Sequence, residues 1–266
     1  MATREQSAVL VNLFDLTGQV ALVTGGSGRV GRQLSRALAQ AGATVVVASR
    51  NVKRCQDFAA QLEEDGHKAI AVCLDVADEA SVTEAMNVIV ERLGRLDVLV
   101  NNAGVATNIA VEKLEVEEFE RIMRVNVTGT FVCSKVFFTL IKDAGKGNII
   151  NISSIYGVVA ADQRIYGDSG RNSSLPYAAS KAAIIQMTRY LAVCWANRGI
   201  RVNVISPGGV FNNQEPEFLA RYNSRTPLNR MASSVDLVGA VVFLASDASS
   251  YITGHNLVVD GGWTAW

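Results

Sequence analysis

A chain of 266 residues with 49% hydrophobic and 19% charged residues can bury one large core, which excludes an intrinsically disordered protein and fits a single α/β domain. Its 25 basic and 25 acidic residues cancel without a long run of either sign, so the charge signature of a nucleic-acid binder is missing. No stretch is apolar and long enough to span a bilayer, and the N-terminal residues lack the apolar core and cleavage site of a secretory signal. The expectation is a cytoplasmic protein with an N-terminal extension over 1–13 and one domain over 14–266.

Short β-rich runs alternate with helix-length segments. The expected strands are 20–24, 44–48, 69–74, 98–101, 148–153, 201–205 and 256–259, mostly Val, Ile and Leu without polar alternation, as in parallel strands covered on both faces. Helical patterns lie at 32–41, 52–65, 81–93 and 178–196, and Gly42, Gly66, Gly94 and Gly199 each stand between a helix and the next strand. This alternation predicts an α/β fold: a doubly wound, mostly parallel seven-stranded sheet of Rossmann type in a single domain. Two polar segments, 158–175 and 208–226, directly follow strands, where ligands bind in such sheets, and read as substrate loops. Cys55, Cys73, Cys133 and Cys194 have no metal-like spacing and read as buried free thiols; with only His67 and His255 besides, no metal site is expected.

The first strand runs into Thr24-Gly25-Gly26-Ser27-Gly28-Arg29-Val30-Gly31, and a helix follows. Glycines there permit a tight turn and let backbone N–H groups approach a pyrophosphate at the helix N-terminus. Gly26-x-Gly28-x-x-Gly31 has the spacing of the dinucleotide fingerprint, and its place between strand and helix gives that spacing weight. The second strand ends Ala48-Ser49-Arg50-Asn51. It offers no carboxylate for the ribose 2′-hydroxyl of NAD, whereas Arg50, helped by Arg29, can hold the 2′-phosphate of NADP. NADP is therefore the expected cofactor, with Gly25, Ser27, Gly28, Arg29, Val30, Gly31, Ser49 and Arg50 in contact with it.

Tyr177 and Lys181 are four residues apart and share one helical face. A phenol of ordinary pKa about 10 is a poor base at neutral pH, but a neighbouring ammonium favours its phenolate. Tyr156 has Ala160 at the same spacing and Tyr166 has Gly170, so neither has a cation on its own helical face. Of the two serines that end the fifth strand, alternation points Ser153 and Ser154 in opposite directions.

From about Leu16 to Gly262 the chain resembles the short-chain dehydrogenase/reductase family. After the glycine loop, Asp75-Val76, Asn101-Asn102-Ala103-Gly104, Asn126, Ile152-Ser153-Ser154, Tyr177-x-x-x-Lys181, Pro207-Gly208 and Asp260-Gly261-Gly262 appear in family order. The resemblance implies a nicotinamide-dependent oxidoreductase interconverting a secondary alcohol and a ketone, with Asn126, Ser154, Tyr177 and Lys181 as the catalytic set. By the same resemblance Asp75 and Val76 flank the adenine, Asn102, Ala103 and Gly104 line the cleft, and Pro207, Gly208 and Val210 border the nicotinamide. The loop departs from the classical pattern: Arg29 stands where a glycine is usual, and TGxxGxxG is the spacing of extended members. Length and the Asp-Gly-Gly ending favour the classical type. Asn212 replaces a frequent threonine, and the interval between Ser154 and Tyr177 is longer than usual by about one surface loop.

That interval carries Arg164 and Arg171, which with Asn212 are the candidate substrate contacts of a polar wall suited to a sugar, sugar acid or nucleotide sugar. Three other readings remain open here: a 3-oxoacyl thioester reductase, an extended-type sugar epimerase or dehydratase, and a non-enzymatic nicotinamide-binding scaffold. The apolar surface of the 178–196 helix, which relatives use for subunit contact, points to a homodimer or homotetramer. Trp263 and Trp266 would either enter a neighbouring subunit or close over the site.

Overall fold

The computed structural model describes residues 13–167 and 172–266; residues 1–12 of the expected extension over 1–13 and Arg171 lie outside them. Seven parallel strands form one sheet: β1 (Val20–Thr24), β2 (Thr44–Ser49), β3 (Ala69–Cys73), β4 (Val98–Asn101), β5 (Gly147–Ile152), β6 (Ile200–Pro207) and β7 (Asn256–Val259), in the order β3-β2-β1-β4-β5-β6-β7. The helices are α1 (Arg29–Gln40), α2 (Val52–Glu64), α3 (Glu79–Leu93), α4 (Val116–Met123), α5 (Gly129–Ile141), α6 (Leu175–Trp195), α7 (Pro216–Arg225) and α8 (Val238–Ala245).

Strand alternation sends apolar side chains to both faces. Ala21, Val23, Val45 and Val47 pack with Leu34, Leu38, Phe58 and Leu244 of α1, α2 and α8. Val20, Leu22, Val46 and Ala48 pack with Met86, Ile89 and Phe137 of α3 and α5. Each such fully buried aliphatic side chain contributes roughly 1.5–3 kcal/mol, so the middle strands tolerate no polar alternation. Gly42, Gly66, Gly94 and Gly199 all have positive φ, between 70° and 100°, the left-handed turn that ends a helix and admits glycine without strain.

The order of strands reverses at β1 and β4, and their carboxyl ends open the crevice in which such sheets bind ligands. The structure corrects four expectations. α1 begins at Arg29, three residues early, with Gly28 as its cap. α6 begins at Leu175, because Pro176 fits the first turn of a helix, where no donor is needed. The segment 208–226 is not all loop: Pro216 starts α7, and Phe218 and Tyr222, one turn apart, give it an apolar face. Cys73 and Cys194 are exposed, one on edge strand β3 and one on the outer side of α6, while Cys55 and Cys133 are buried free thiols. No helix among the described residues is long and apolar enough to cross a membrane.

Candidate active site

Where β1 ends, Gly25 (φ +61°) turns the chain and Gly28 caps α1 without any side-chain bond. A Cβ at Gly31 would overlap the Gly25 carbonyl oxygen and stand 2.8 Å from Asn102 Nδ2 and 2.9 Å from Gly26 Cα. Thr24 Oγ1 accepts from the N–H groups of Asn102 (3.0 Å) and Ala103 (3.1 Å), and Asn102 Nδ2 donates to the Thr24 carbonyl (3.0 Å). The glycine loop is thereby clamped to the Asn102-Ala103-Gly104 strand end. The result is a backbone cradle at a helix N-terminus, suited to a dinucleotide pyrophosphate. A cleft of about 1250 Å³ runs from this cradle to Tyr177; Gly25, Ser27, Gly28, Arg29, Val30, Gly31, Ser49, Arg50, Asn102, Ala103, Gly104, Lys181, Pro207, Gly208 and Val210 all line it.

At the far rim the Ser27 and Ser49 hydroxyls share a hydrogen bond of 3.1 Å. Arg50 and Arg54 stand beside them, and Arg54 Nη2 donates to the Ser27 carbonyl at 3.4 Å. Arg54 was not singled out from the sequence. Its signal was its distance of four residues from Arg50, with Asn51 capping the helix between them by accepting from the Arg54 N–H at 3.1 Å. Arg29 is placed differently from its expected phosphate contact. Its guanidinium crosses the cleft and donates to the carbonyls of Val210 (3.1 Å) and Phe211, so its forks are already occupied on the side of β6. Asp75 and Val76 are not among the residues lining the cleft. Asp75 accepts from the Ala77 N–H (3.0 Å) in its own turn, and Val76 is buried where a Cβ on Gly129 would collide with it.

The reactive side chains come together from three elements. Ser153 Oγ turns inward to the Lys181 carbonyl (2.7 Å), while Ser154 accepts from the Tyr156 N–H (3.2 Å) and faces the cleft that Tyr177 also lines. Lys181 Nζ donates to the Ile152 carbonyl (2.8 Å) and lies 5.5 Å from the Tyr177 ring centre. Asn126 sits in a π-helical turn (Arg124–Thr128) between α4 and α5. It is fully buried; Oδ1 accepts from the Val105 N–H (2.8 Å), and Nδ2 donates to the Val105 carbonyl and Ser180 Oγ (both 2.9 Å).

Burial pushes the Tyr177 phenol above its ordinary value, against the pull of the nearby Ser154 hydroxyl, and burial lowers Lys181 to about 8. Between pH 8 and the ordinary lysine value of 10.5, the unfolded chain binds the proton that the folded chain has lost, so stability rises with pH. Cys133, held up at about 12 against 9.0 by burial, acts in the opposite sense above pH 9. The unliganded protein is therefore expected to gain stability from pH 8 to 9, by about 1 kcal/mol at most, and then level off. Thermal unfolding across that range checks this, and Lys181→Met should abolish the rise; a rise that persists in the variant would assign it to another group.

Tyr177 also borders a second cavity, of about 800 Å³, walled by Thr107, Asn108, Asn172, Ser174, Gln214 and Arg221 among others. Two of the candidate substrate contacts, Arg164 and Asn212, lie elsewhere. Arg164, with an 85% exposed side chain, pairs with Asp162 (2.8 Å), and Asn212 lines neither cavity, its N–H bonding Gln214 Oε1 (2.6 Å). The two polar segments meet instead through an aromatic ladder that holds the wall: Tyr166 on Phe218 (5.3 Å), Phe218 on Tyr222 (5.9 Å) and Tyr222 stacked on Trp263 (4.4 Å). The tail thus folds onto α7 of its own chain, where Trp266 Nε1 donates to the Arg225 carbonyl (3.2 Å). Among the described residues no His, Cys, Asp and Glu cluster of metal-binding kind occurs.

Residues 27–264 match the family model described as "Enoyl-(Acyl carrier protein) reductase". The chain is 37% identical over 252 residues to cis-4-hydroxycyclohexanecarboxylate dehydrogenase of Sinomonas cyclohexanicum, covering 93% of this chain and 97% of that one. It is 35% identical over 259 residues to D-threitol dehydrogenase of Mycolicibacterium smegmatis, covering 94% and 95%. The crystal structure of a gluconate 5-dehydrogenase from Burkholderia cenocepacia J2315 in complex with NADP and tartrate superposes with a TM-score of 0.90 at 33% identity, over 97% of this chain and 99% of that one. The chain belongs to the short-chain dehydrogenase/reductase family, classical type. It is an NAD(P)-dependent oxidoreductase that interconverts alcohols and ketones.

Proposed function

We propose that Tyr177 is the acid/base of this reaction, that Ser154 and Lys181 set its state, that NADP is the preferred cofactor and that the substrate is a small polar alcohol or ketone. The observation that carries this reading is the convergence of Ser154, Tyr177 and the buried Lys181 at the place where the cofactor cleft meets the second cavity. The bound nicotinamide supplies or takes the hydride. Tyr177 Oη gives a proton to the substrate oxygen in reduction and removes it in oxidation, and Ser154 Oγ donates to that same oxygen and orients it. Lys181, anchored on the Ile152 carbonyl, keeps two further N–H donors for the nicotinamide ribose, and its charge favours the Tyr177 phenolate. Asn126 fixes the Val105 backbone that walls the cleft and supports a proton-relay water.

The NADP preference rests on Arg50 and Arg54 beside the Ser27–Ser49 pair, with no carboxylate at the end of β2. Initial rates with NADPH and NADH across keto acids, keto sugars and apolar ketones test it. NADPH should be preferred, and Arg50→Ala and Arg54→Ala should each raise its KM roughly tenfold, the loss of one charge-assisted contact, while sparing NADH. A wild-type preference for NADH would overturn the cofactor assignment and leave the role of Tyr177 standing. A cytoplasmic homodimer or homotetramer completes the reading: Tyr190 and Val193 are exposed on α6, beside exposed Phe131 and Leu140 of α5.

A further inference from the structure

We infer that Arg221 is the specificity residue of the second cavity, binding the carboxylate of a hydroxy-acid substrate whose alcohol carbon faces Tyr177. The inference rests on the proposed role of Tyr177, since both side chains border the same 800 Å³ space. Arg221 is held ready for such a contact. The backbone of Gly167 lies close against its guanidinium: a Cβ there would overlap Nη1 and stand 2.6 Å from Cζ. Gly167 also has φ +52° with ψ −139°, a conformation that favours glycine, so the loop comes this close to the guanidinium because residue 167 has no side chain.

The carboxylate partner of Arg221 in the structure is a weak one. Glu217 Oε2 lies 3.6 Å from Nη2, one turn earlier on α7, with an 85% exposed side chain. Exposed pairs of this spacing stabilise little, so a substrate carboxylate that forms a two-pronged bond in the more enclosed cavity displaces it. Two other cations proposed from the sequence do not serve: Arg164 is committed to Asp162, and Arg29 to the carbonyls of Val210 and Phe211. Ser174 Oγ and Asn172 Oδ1 are buried on the same wall without a hydrogen-bond partner, which suits a substrate with further hydroxyl groups. Among the described residues that line this cavity Arg221 is the one cation, against Glu215 and Glu217, so a hydroxylated carboxylic acid, open-chain or cyclic, is recognised there through that guanidinium.

The test compares aldonates and hydroxycyclohexanecarboxylates with their own primary carboxamides, in the wild type and in Arg221→Met and Arg221→Lys, using the oxidised nicotinamide as acceptor. The wild type should favour acid over amide by about 30-fold in kcat/KM, the worth of one charge-assisted fork, with the difference in KM. Arg221→Met should remove that preference with kcat for the amide and KM for the nicotinamide unchanged, and Arg221→Lys should restore part of it. An acid-to-amide ratio that is the same in wild type and Arg221→Met overturns the inference, as does a wild type that oxidises only neutral polyols or cyclic alcohols. In the latter case, activity lost in Tyr177→Phe leaves the alcohol-oxidoreductase reading intact; activity that survives in Tyr177→Phe removes both.

Discussion

Tyr177→Phe is expected to lower kcat by about 1000-fold in both directions while leaving nicotinamide affinity within a few fold. The size follows from the loss of a positioned acid/base, typically worth 10² to 10⁴ in rate. The variant removes one oxygen from a side chain whose ring stays in place, so packing is nearly conserved. Its selectivity for kcat follows from the division of labour in the cleft: Lys181 keeps its bond to the Ile152 carbonyl and its donors for the ribose, and the glycine cradle is untouched. In the unliganded protein burial holds the Tyr177 proton on, which favours the acid that reduction needs. Oxidation needs the opposite state, so its rate should climb with pH. Steady-state rates of the wild type and Tyr177→Phe over one pH range measure both effects. A variant with more than a tenth of wild-type kcat would mean that the proton travels by another group, and Tyr156 would be the first to examine, since it also lines the cleft.

The sheet was legible because its rule is local: a run such as Val20-Ala21-Leu22-Val23 buried on both faces cannot alternate with polar residues, and that appears directly in the sequence. The glycine loop and the Tyr177–Lys181 pair were legible for the same reason, each being a spacing within one turn or one helix. Contacts between distant segments were not. Nothing near Arg29 announces that its guanidinium will bond carbonyls more than 180 residues away. Arg164 and Arg221 look alike in a string of polar loop residues, and the fold separates them: Asp162 takes one, and Gly167 sets the other against the cavity. Helix α7 was hidden because its apolar face, Phe218 and Tyr222, packs on Tyr166 and Trp263 from the interval before α6 and from the tail, a partnership no single window contains. Asp75 and Val76 come from the family pattern alone; in the fold Asp75 also ties the turn after β3, and Val76 packs beside Gly129.

Gly31→Ala should weaken nicotinamide binding at least 100-fold, although it adds a single methyl group outside the reacting centre. The added Cβ would meet the Gly25 carbonyl oxygen, Asn102 Nδ2 and Gly26 Cα, so two of its three nearest neighbours are backbone atoms of the phosphate cradle itself, which no rotamer change can move aside. The strain passes along the clamp in both directions, because Asn102 is tied to Thr24 and Gly25, and Thr24 to Ala103. Overpacking of this kind costs about 1–3 kcal/mol of stability, and a displacement near 1 Å in binding groups costs about 100-fold in function. Gly239→Ala supplies the contrast. Gly239 lies in α8 with open space where its Cβ would go, so the substitution should stabilise the protein by about 0.5–1 kcal/mol through helix propensity. Cofactor titration and thermal unfolding of both variants separate the two effects. A Gly31→Ala protein that binds nicotinamide normally would mean that the cradle is a packing junction between α1 and the β4 exit, and that the pyrophosphate is held elsewhere along the cleft.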